Sequence, residues 1–303
     1  MQRPSCLQPG DTVMIVAPSS PADFDKVLLM KQKLEAMGLR VLLGDSAARQ
    51  RGYLAGTDAA RADDLHLAFS HPAVKAVFCA RGGYGSARLL SLLDFPLIRR
   101  NPKIFWGYSD VTALHLAFGR HAGLVTFHGP MMEECGGGGV DAMTLSSFEQ
   151  LFTPQFIMLA AQDEYIYPSF SSVTAPLTGG NLTVLASTLG TPYEVDTGGK
   201  ILFLEDIGEE PYRLDRMLNQ LKLAGKLQQC AGLILGSFSD CAPKRQSSLS
   251  LPEIIYDHVV PYGIPILSGF PLGHCRPHQG IPFGVPVTMN GEDQTLVFEP
   301  GVK

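Results

Sequence analysis

Apolar residues in this chain fall into short continuous runs that alternate with stripes at helical spacing. Thr12–Ala17 reads as a buried strand that ends at Pro18-Ser-Ser-Pro21. Val27, Met30, Leu34 and Met37 then share one helix face, with Gly38 as its stop, and a second strand follows at Val41–Leu43. Thr57-Asp58 can cap a helix carrying Leu65, Ala68 and Phe69 before a third strand, Val74–Ala80. Arg81-Gly-Gly-Tyr-Gly85 is the turn out of that strand, and Leu89, Leu90 and Leu93 mark the next helix. Ile104–Trp106, a helix from Asp110, and Leu124–Phe127 continue the alternation. Strand and helix in this order predict a parallel sheet with helices on both faces, whose ligands bind beyond the carboxyl ends of the strands.

The pattern loosens at Gly136–Gly139, and Thr153–Ser172 has little periodicity, so that segment reads as a crossing between domains, with the boundary near residue 165. The expected division is 1–165, with the linker from about 153, and 166–303. The second half has a different rhythm. Thr174–Leu177, Lys200–Asp206, Gly232–Gly236 and Pro265–Phe270 read as strands, while Leu182–Leu189 is an apolar segment. Helical spacing runs over Pro211–Leu223 and Leu251–Val260. Near the end Val285–Met289 and Thr295–Phe298 flank Asn290-Gly291, a hairpin signal. A mixed α/β domain with an antiparallel element is expected there.

Composition narrows the function classes. The chain has 303 residues, of which 45% are apolar, enough for two cores. A formal charge of −5 with no Lys/Arg run argues against nucleic acid or an anionic membrane as partners. No apolar run has the length of a signal sequence or a membrane span, so a cytoplasmic location is the default expectation. Six scattered cysteines without a C-x-x-C pair read as small buried hydrophobes rather than disulfides or zinc ligands.

The candidate chemistry starts at Gly107-Tyr108-Ser109-Asp110-Val111. Ser109 stands at a tight strand-to-helix turn, where a hydroxyl is pushed out at the sheet edge and the following N–H points toward whatever it attacks. The last glycine of G-x-S-x-G is missing, and such a junction taken alone favours a helix N-cap. A nucleophile needs a base and an orienting carboxylate, which can come from far along the chain. Among eight histidines, His274 lies in the Gly/Pro-locked loop Gly269–Pro277, and His128 is the second candidate. Reading His274 and His278 as a metal pair is disfavoured because Pro277 interrupts any shared helix face. Glu205 and Asp206 end a strand, so only one of them can face the cleft, and Glu205 reaches further. Either could instead cap the Pro211 helix or pair with Arg213 and Arg216. The Arg81–Gly85 turn is neither a dinucleotide fingerprint nor a Walker sequence, but it can offer N–H groups to an oxyanion. Arg81 suits a substrate carboxylate, and Tyr84 is a further substrate contact.

Taken together these residues make the chain resemble the LD-carboxypeptidase family of serine peptidases. The matching segments are Ala80–Arg88, Gly107–Ala113, Thr178–Thr183, Leu189–Tyr193, Leu202–Asp206 with Tyr212–Arg216, and Gly269–His274. The resemblance implies a flavodoxin-like parallel-sheet N-terminal domain, a smaller mixed α/β C-terminal domain, and a homodimer. It implies Ser109, His274 and Glu205 as catalytic residues, with oxyanion donors from the backbone of Asp110 and Gly83. The implied substrate is a murein tetrapeptide that loses its terminal D-alanine in peptidoglycan recycling, with no cofactor and no metal. The related microcin C immunity peptidases, which cleave peptidyl nucleotides, and a non-catalytic binder of small anions are the alternatives.

Overall fold

The structure is a computed structural model and describes every residue except 163–165, 168 and 245–246. The first half supplies β1 (Thr12–Val16), β2 (Arg40–Leu43), β3 (Val74–Cys79), β4 (Ile104–Gly107) and β5 (Thr126–His128). Between and after them run helices α1 (Phe24–Ala36), α2 (Asp58–Ser70), α3 (Phe95–Arg100), α4 (Thr112–Ala117), α5 (Met132–Gly136) and α6 (Ala142–Ser146). The five strands are parallel in the order 2-1-3-4-5. That is the flavodoxin-like winding, in which the order reverses between β1 and β3 and opens a crevice at the carboxyl ends. The two-residue period of a strand divides the core. Val13 and Ile15 of β1 pack into one layer, Met14 and Val16 into the other.

The second half supplies β6 (Ile157–Ala160), β7 (Ile166–Tyr167), β8 (Ser172–Asn181), β9 (Ile201–Ile207), β10 (Gly232–Ser239), β11 (Ile266–Leu267), β12 (Ile281–Phe283), β13 (Pro286–Asn290) and β14 (Thr295–Phe298). Its helices are α7 (Leu182–Thr188), α8 (Pro211–Leu223) and α9 (Leu251–His258). Eight of these strands form a mixed sheet, 6-14-13-8-9-10-11-7, parallel from β8 to β11 and antiparallel toward both edges. The ninth, β12, crosses back and pairs antiparallel with β5, closing the edge of the first sheet. The C-terminus returns as well, with Cys6 donating its N–H to Lys303 O and Lys303 to Pro4 O.

The structure differs from the sequence reading at several places, each for a physical reason. Thr153–Ser172 is not simply a crossing, because β6 within it alternates buried Ile157 and Leu159 with outward Met158 and Ala160 along β14. Four residues are too short a window for that alternation to stand out. The boundary expected near residue 165 lies outside the described residues. Leu89 and Leu90 belong to a 3-10 turn, Ser86–Leu92, and a separate α3 starts at the Asp94 cap with Pro96 in its first turn. The strand expected over Pro265–Phe270 pairs only at Ile266 and Leu267. The hairpin forms, but its loop is Gly291–Gln294, with Asn290 Oδ1 accepting from the N–H groups of Glu292 and Asp293.

One buried cation ties the sheet edge together. Arg61 of α2 is fully buried and donates to the carbonyls of Pro18 and Gly85, and it pairs with Asp58. It thereby fastens the loop after β1 to the turn after β3. Arg61→Ala leaves both carbonyls and part of Asp58 without their donor. We expect a loss of about 3 kcal/mol or more in urea unfolding, and a loss below about 1 kcal/mol would show that this tie carries little.

Candidate active site

The turn after β4 places Ser109 at φ 59°, a left-handed conformation that a residue with a Cβ adopts at a cost. A short 3-10 turn, Ser109–Val111, leads directly into α4, and neither accepts a side-chain cap bond. Ser109 Oγ instead lies 3.1 Å from His274 Nε2. The junction is therefore a strained elbow, and the serine does not cap the helix.

Asp110 holds this elbow against its neighbours. Its buried carboxylate accepts from Ser19 Oγ at 2.6 Å and from Ser86 N–H at 2.8 Å, joining the loop after β1 and the turn after β3 to the serine turn. Sequence reasoning missed Ser19 and Ser86, since isolated serines in turns carry no spacing signal. The β3 turn is shaped by Ser20, whose N–H donates to Gly82 O and whose Oγ accepts from Tyr84 N–H. In a trans peptide the N–H points opposite to the C=O, so Gly83 N–H is aimed away from Ser20. Gly83 itself has φ +98°, and a Cβ there would lie 2.4 Å from Ser20 Oγ.

The acid follows from strand geometry. In β9, Ile201 and Phe203 face one core layer while Leu202 and Leu204 face the other. Glu205 continues the first set and Asp206 the second. Glu205 is completely buried, and its Oε2 accepts from His274 Nδ1 at 2.6 Å and from His274 N–H at 3.2 Å. Asp206, on the opposite face, accepts from Asn181 Nδ2 and from the N–H and hydroxyl of Thr183 at the start of α7. Neither acid caps α8, which starts after Glu210 without a side-chain cap bond, and α7 is capped by Asn181, with Asp206 supporting its first turn. Arg213 pairs with Glu209.

His274 sits in the loop after β11, where Gly273 has φ +96° and a Cβ would stand 2.7 Å from Glu205 Oε2. Its carbonyl accepts from Ser237 and Ser239 hydroxyls at the end of β10. A carboxylate can only accept, so Nδ1 carries the proton, and in the neutral ring Nε2 is left to accept from the serine hydroxyl. Burial pushes the His274 pKa down, but the Glu205 hydrogen bond and charge, helped by Glu134 and Asp206, outweigh it, so the pKa lies above its ordinary value.

Tyr108 packs its ring on His274 at 4.7 Å between centroids, and its hydroxyl donates to Glu134 at 2.7 Å. Behind it lie His278, His128 and His115, all buried. Burial holds His278 down to about 3 and His115 to about 4, and His128 well below its ordinary value. His128 meets Tyr108, His278, Phe203 and Phe283 and makes no hydrogen bond to Ser109. Among the described residues no group of His, Cys, Asp and Glu is arranged to hold a metal ion.

The structure therefore brings Ser109, His274 and Glu205 into one hydrogen-bonded row and sets the Gly83 turn beside it. The side chains of Arg81 and Tyr84 are engaged elsewhere. Arg81 donates to Pro21 O at 3.0 Å and lies 3.5 Å from Glu133, and exposed Tyr84 packs edge-on against Tyr53. A cavity of about 510 Å³ opens beside His274, lined in part by Tyr108, Glu134, Asp141, Asp240 and Arg276.

Fold and site define an α/β protein of two interlocked sheets that aligns a serine, an imidazole and a carboxylate at their shared edge. Residues 13–129 match the LD-carboxypeptidase N-terminal domain and residues 174–289 the LD-carboxypeptidase C-terminal domain, and the chain belongs to that family. A Bacillus subtilis (strain 168) protein described as "Probable murein peptide carboxypeptidase" is 47% identical, over 99% of this chain and 95% of that one. The crystal structure of muramoyltetrapeptide carboxypeptidase from Oxalobacter formigenes is 30% identical with a TM-score of 0.86, covering 96% of this chain and all of that one. The microcin C7 self immunity protein MccF, in complex with aspartyl sulfamoyl adenosine, shares the fold with a TM-score of 0.89 at 24% identity, covering 99% of this chain and 98% of that one.

The buried imidazoles set an acid limit on stability. His115, His128 and His278 are held neutral in the fold and return to the ordinary value of 6.5 when it unfolds, so the unfolded chain binds more protons below that pH. Stability should fall as the pH drops from about 6.5 toward 4, by up to about 1.4 kcal/mol per pH unit for each histidine. His274 works in the opposite sense, since its raised pKa contributes stability that is complete below 6.5 and is lost as the pH rises through the folded value. Urea midpoints at pH 7, 6, 5 and 4 should decline overall, and an increase over that range would contradict the neutral cluster.

Proposed function

We propose that this protein is a serine-type LD-carboxypeptidase that releases the C-terminal D-alanine of murein tetrapeptides. The observation that carries the reading is the row Glu205–His274–Ser109, at 2.6 Å and 3.1 Å. Membership of the family and the murein peptide carboxypeptidases among its relatives support the substrate class. In this reading Ser109 Oγ attacks the carbonyl carbon before the terminal residue while His274 Nε2 takes the hydroxyl proton. Glu205 keeps the proton on Nδ1 and stabilises the imidazolium that forms. The N–H groups of Gly83 and Asp110 donate to the carbonyl oxygen as it gains negative charge, the Gly83 N–H being fixed by the carbonyl on its own peptide, which Ser20 holds. His274 then protonates the leaving amine, and water hydrolyses the acyl-serine by the same groups in reverse.

The reading assigns the nucleophile to a first domain that runs to about residue 165, and the acid and base to the remainder. It includes a cytoplasmic homodimer working without a cofactor, as the family resemblance implies, and a sedimentation mass of one chain would remove the dimer.

The test is release of D-alanine from a murein tetrapeptide, followed by chromatography. Ser109→Ala and His274→Ala should each lower kcat by at least about 10³-fold, and Glu205→Gln by about 10²- to 10⁴-fold, because the wrong imidazole tautomer is then stabilised. Undiminished release by Ser109→Ala would remove the proposal. The raised His274 pKa also places the acid limb of kcat/KM above pH 6.5, with activity rising as His274 loses its proton. A limb displaced to lower pH would assign the base to another group.

A further inference from the structure

We propose that Arg276 reads the α-carboxylate of the leaving amino acid and so makes the cleavage specific for the free C-terminus. The inference rests on the hydrolytic reading above and adds to it the site of the departing residue. In that mechanism His274 Nε2 delivers a proton to the leaving amine, so the amine must come within hydrogen-bond reach of Nε2. The carboxylate of an amino acid lies only about 3–4 Å from its own nitrogen. The departing residue must therefore lie beside the imidazole, and we assign it to the 510 Å³ cavity that His274 lines.

The cavity has one cation among its described lining residues, Arg276, two positions beyond the imidazole in the same loop. Arg276 is exposed, and among the described residues no hydrogen bond or ion pair engages its guanidinium. Asp141 in the same wall has a lowered pKa; burial works the other way, the Thr144 hydrogen bonds and its own backbone prevail, and the Arg276 charge adds the smallest contribution. The acids of the lining are Glu134, Asp141 and Asp240, beside the imidazoles of His274 and His278. Glu134 accepts from Tyr108, and Asp141 caps α6 through Thr144. Asp240 stands in the turn after β10 at φ 54°.

Without Arg276 the wall would be acidic and would repel a carboxylate. With it, the cavity offers a planar double donor for the carboxylate and acids for the ammonium of the released residue, so a zwitterionic amino acid is complementary to it. Arg81, the other candidate for this role from the sequence, has its guanidinium on Pro21 O and beside Glu133.

The experiment compares a murein tetrapeptide with its C-terminal amide, measuring kcat/KM for release of the terminal residue by wild type, Arg276→Ala, Arg276→Lys and Arg81→Ala. Wild type should prefer the free acid, and Arg276→Ala should lower that preference by about 10- to 100-fold. Arg276→Lys should recover part of it, since the charge returns without the two-pronged geometry. An equal loss on acid and amide, an unchanged preference in Arg276→Ala, or collapse of the preference in Arg81→Ala alone would each overturn the proposal. No release of either substrate by wild type would instead remove the hydrolytic reading, and equal cleavage of acid and amide by wild type would remove carboxylate recognition at this cavity. Circular dichroism and thermal melts of the Arg276 variants should match wild type, because among the described residues no hydrogen bond or ion pair engages this guanidinium.

Discussion

A single imidazole hangs between the two halves of this molecule, and its position is only as good as their docking. His274 takes its orientation from Glu205 in the second sheet and meets the hydroxyl of Ser109 at the edge of the first. Neither half holds all three groups. The halves are bound together along several seams. Thr112, in the first turn of α4, accepts from the N–H of Asn181 at the end of β8. The strand β12 lies in the first sheet although it follows the His274 loop in the chain, so the loop is anchored in both sheets. The C-terminal residues pair with the N-terminal ones. A two-domain chain joined by one linker would leave the imidazole free to drift by the ångström that matters to proton transfer. These crossings remove that freedom.

Burial then separates the charges at the sheet edge by function. Glu205 and Asp206 are neighbours in sequence and both are buried, yet the pleat sends them to opposite faces. Asp206 is taken up by three donors around α7, whereas Glu205 Oε2 has the side chain and backbone of His274, and its Oε1 has no partner among the described residues. A carboxylate with so few donors in a low-dielectric setting concentrates its charge on the imidazole. Behind the row, three histidines kept neutral by burial and the ring of Tyr108 make a wall that is polar in composition but uncharged. One imidazole meets the serine, and the neighbouring carboxylates of Glu205, Glu134 and Asp206 favour holding the proton there.

The proposed substrate is an anion although the protein is acidic. The net charge of −5 gives no general attraction for carboxylates, and Glu134, Asp141 and Asp240 line the cavity beside His274. In the proposed reading recognition comes from the local cation Arg276, a matter of geometry more than of overall charge. The same acids suit the ammonium group that appears when a peptide bond is cut.

Much of the frame was legible in the chain itself. The runs at Thr12, Val74 and Ile104 are strands, α1, α2 and α8 follow their apolar stripes, and helix α8 spans Pro211–Leu223 as the periodicity predicts. These succeed because a buried strand or an amphipathic helix is written into neighbouring residues. The candidates Ser109, His274 and Glu205 were also legible as residue types in rigid turns and at a strand end, the Gly/Pro-locked loop favouring His274 among eight histidines and the family resemblance joining the three. What the local pattern did not contain is every contact made at long range. Nothing near Asp110 announces that its carboxylate will join Ser19 to Ser86, and nothing near Ile281 says that this strand will leave its own sheet for the first. The engagement of Arg81 with Pro21 and Glu133, and the openness of Arg276, likewise depend on which loops come to rest beside one another. Local sequence determines which backbone conformations and faces are cheap. Only the folded chain decides which of those faces meet, because hydrophobic burial is indifferent to sequence distance and settles polar partners by whatever it brings within reach.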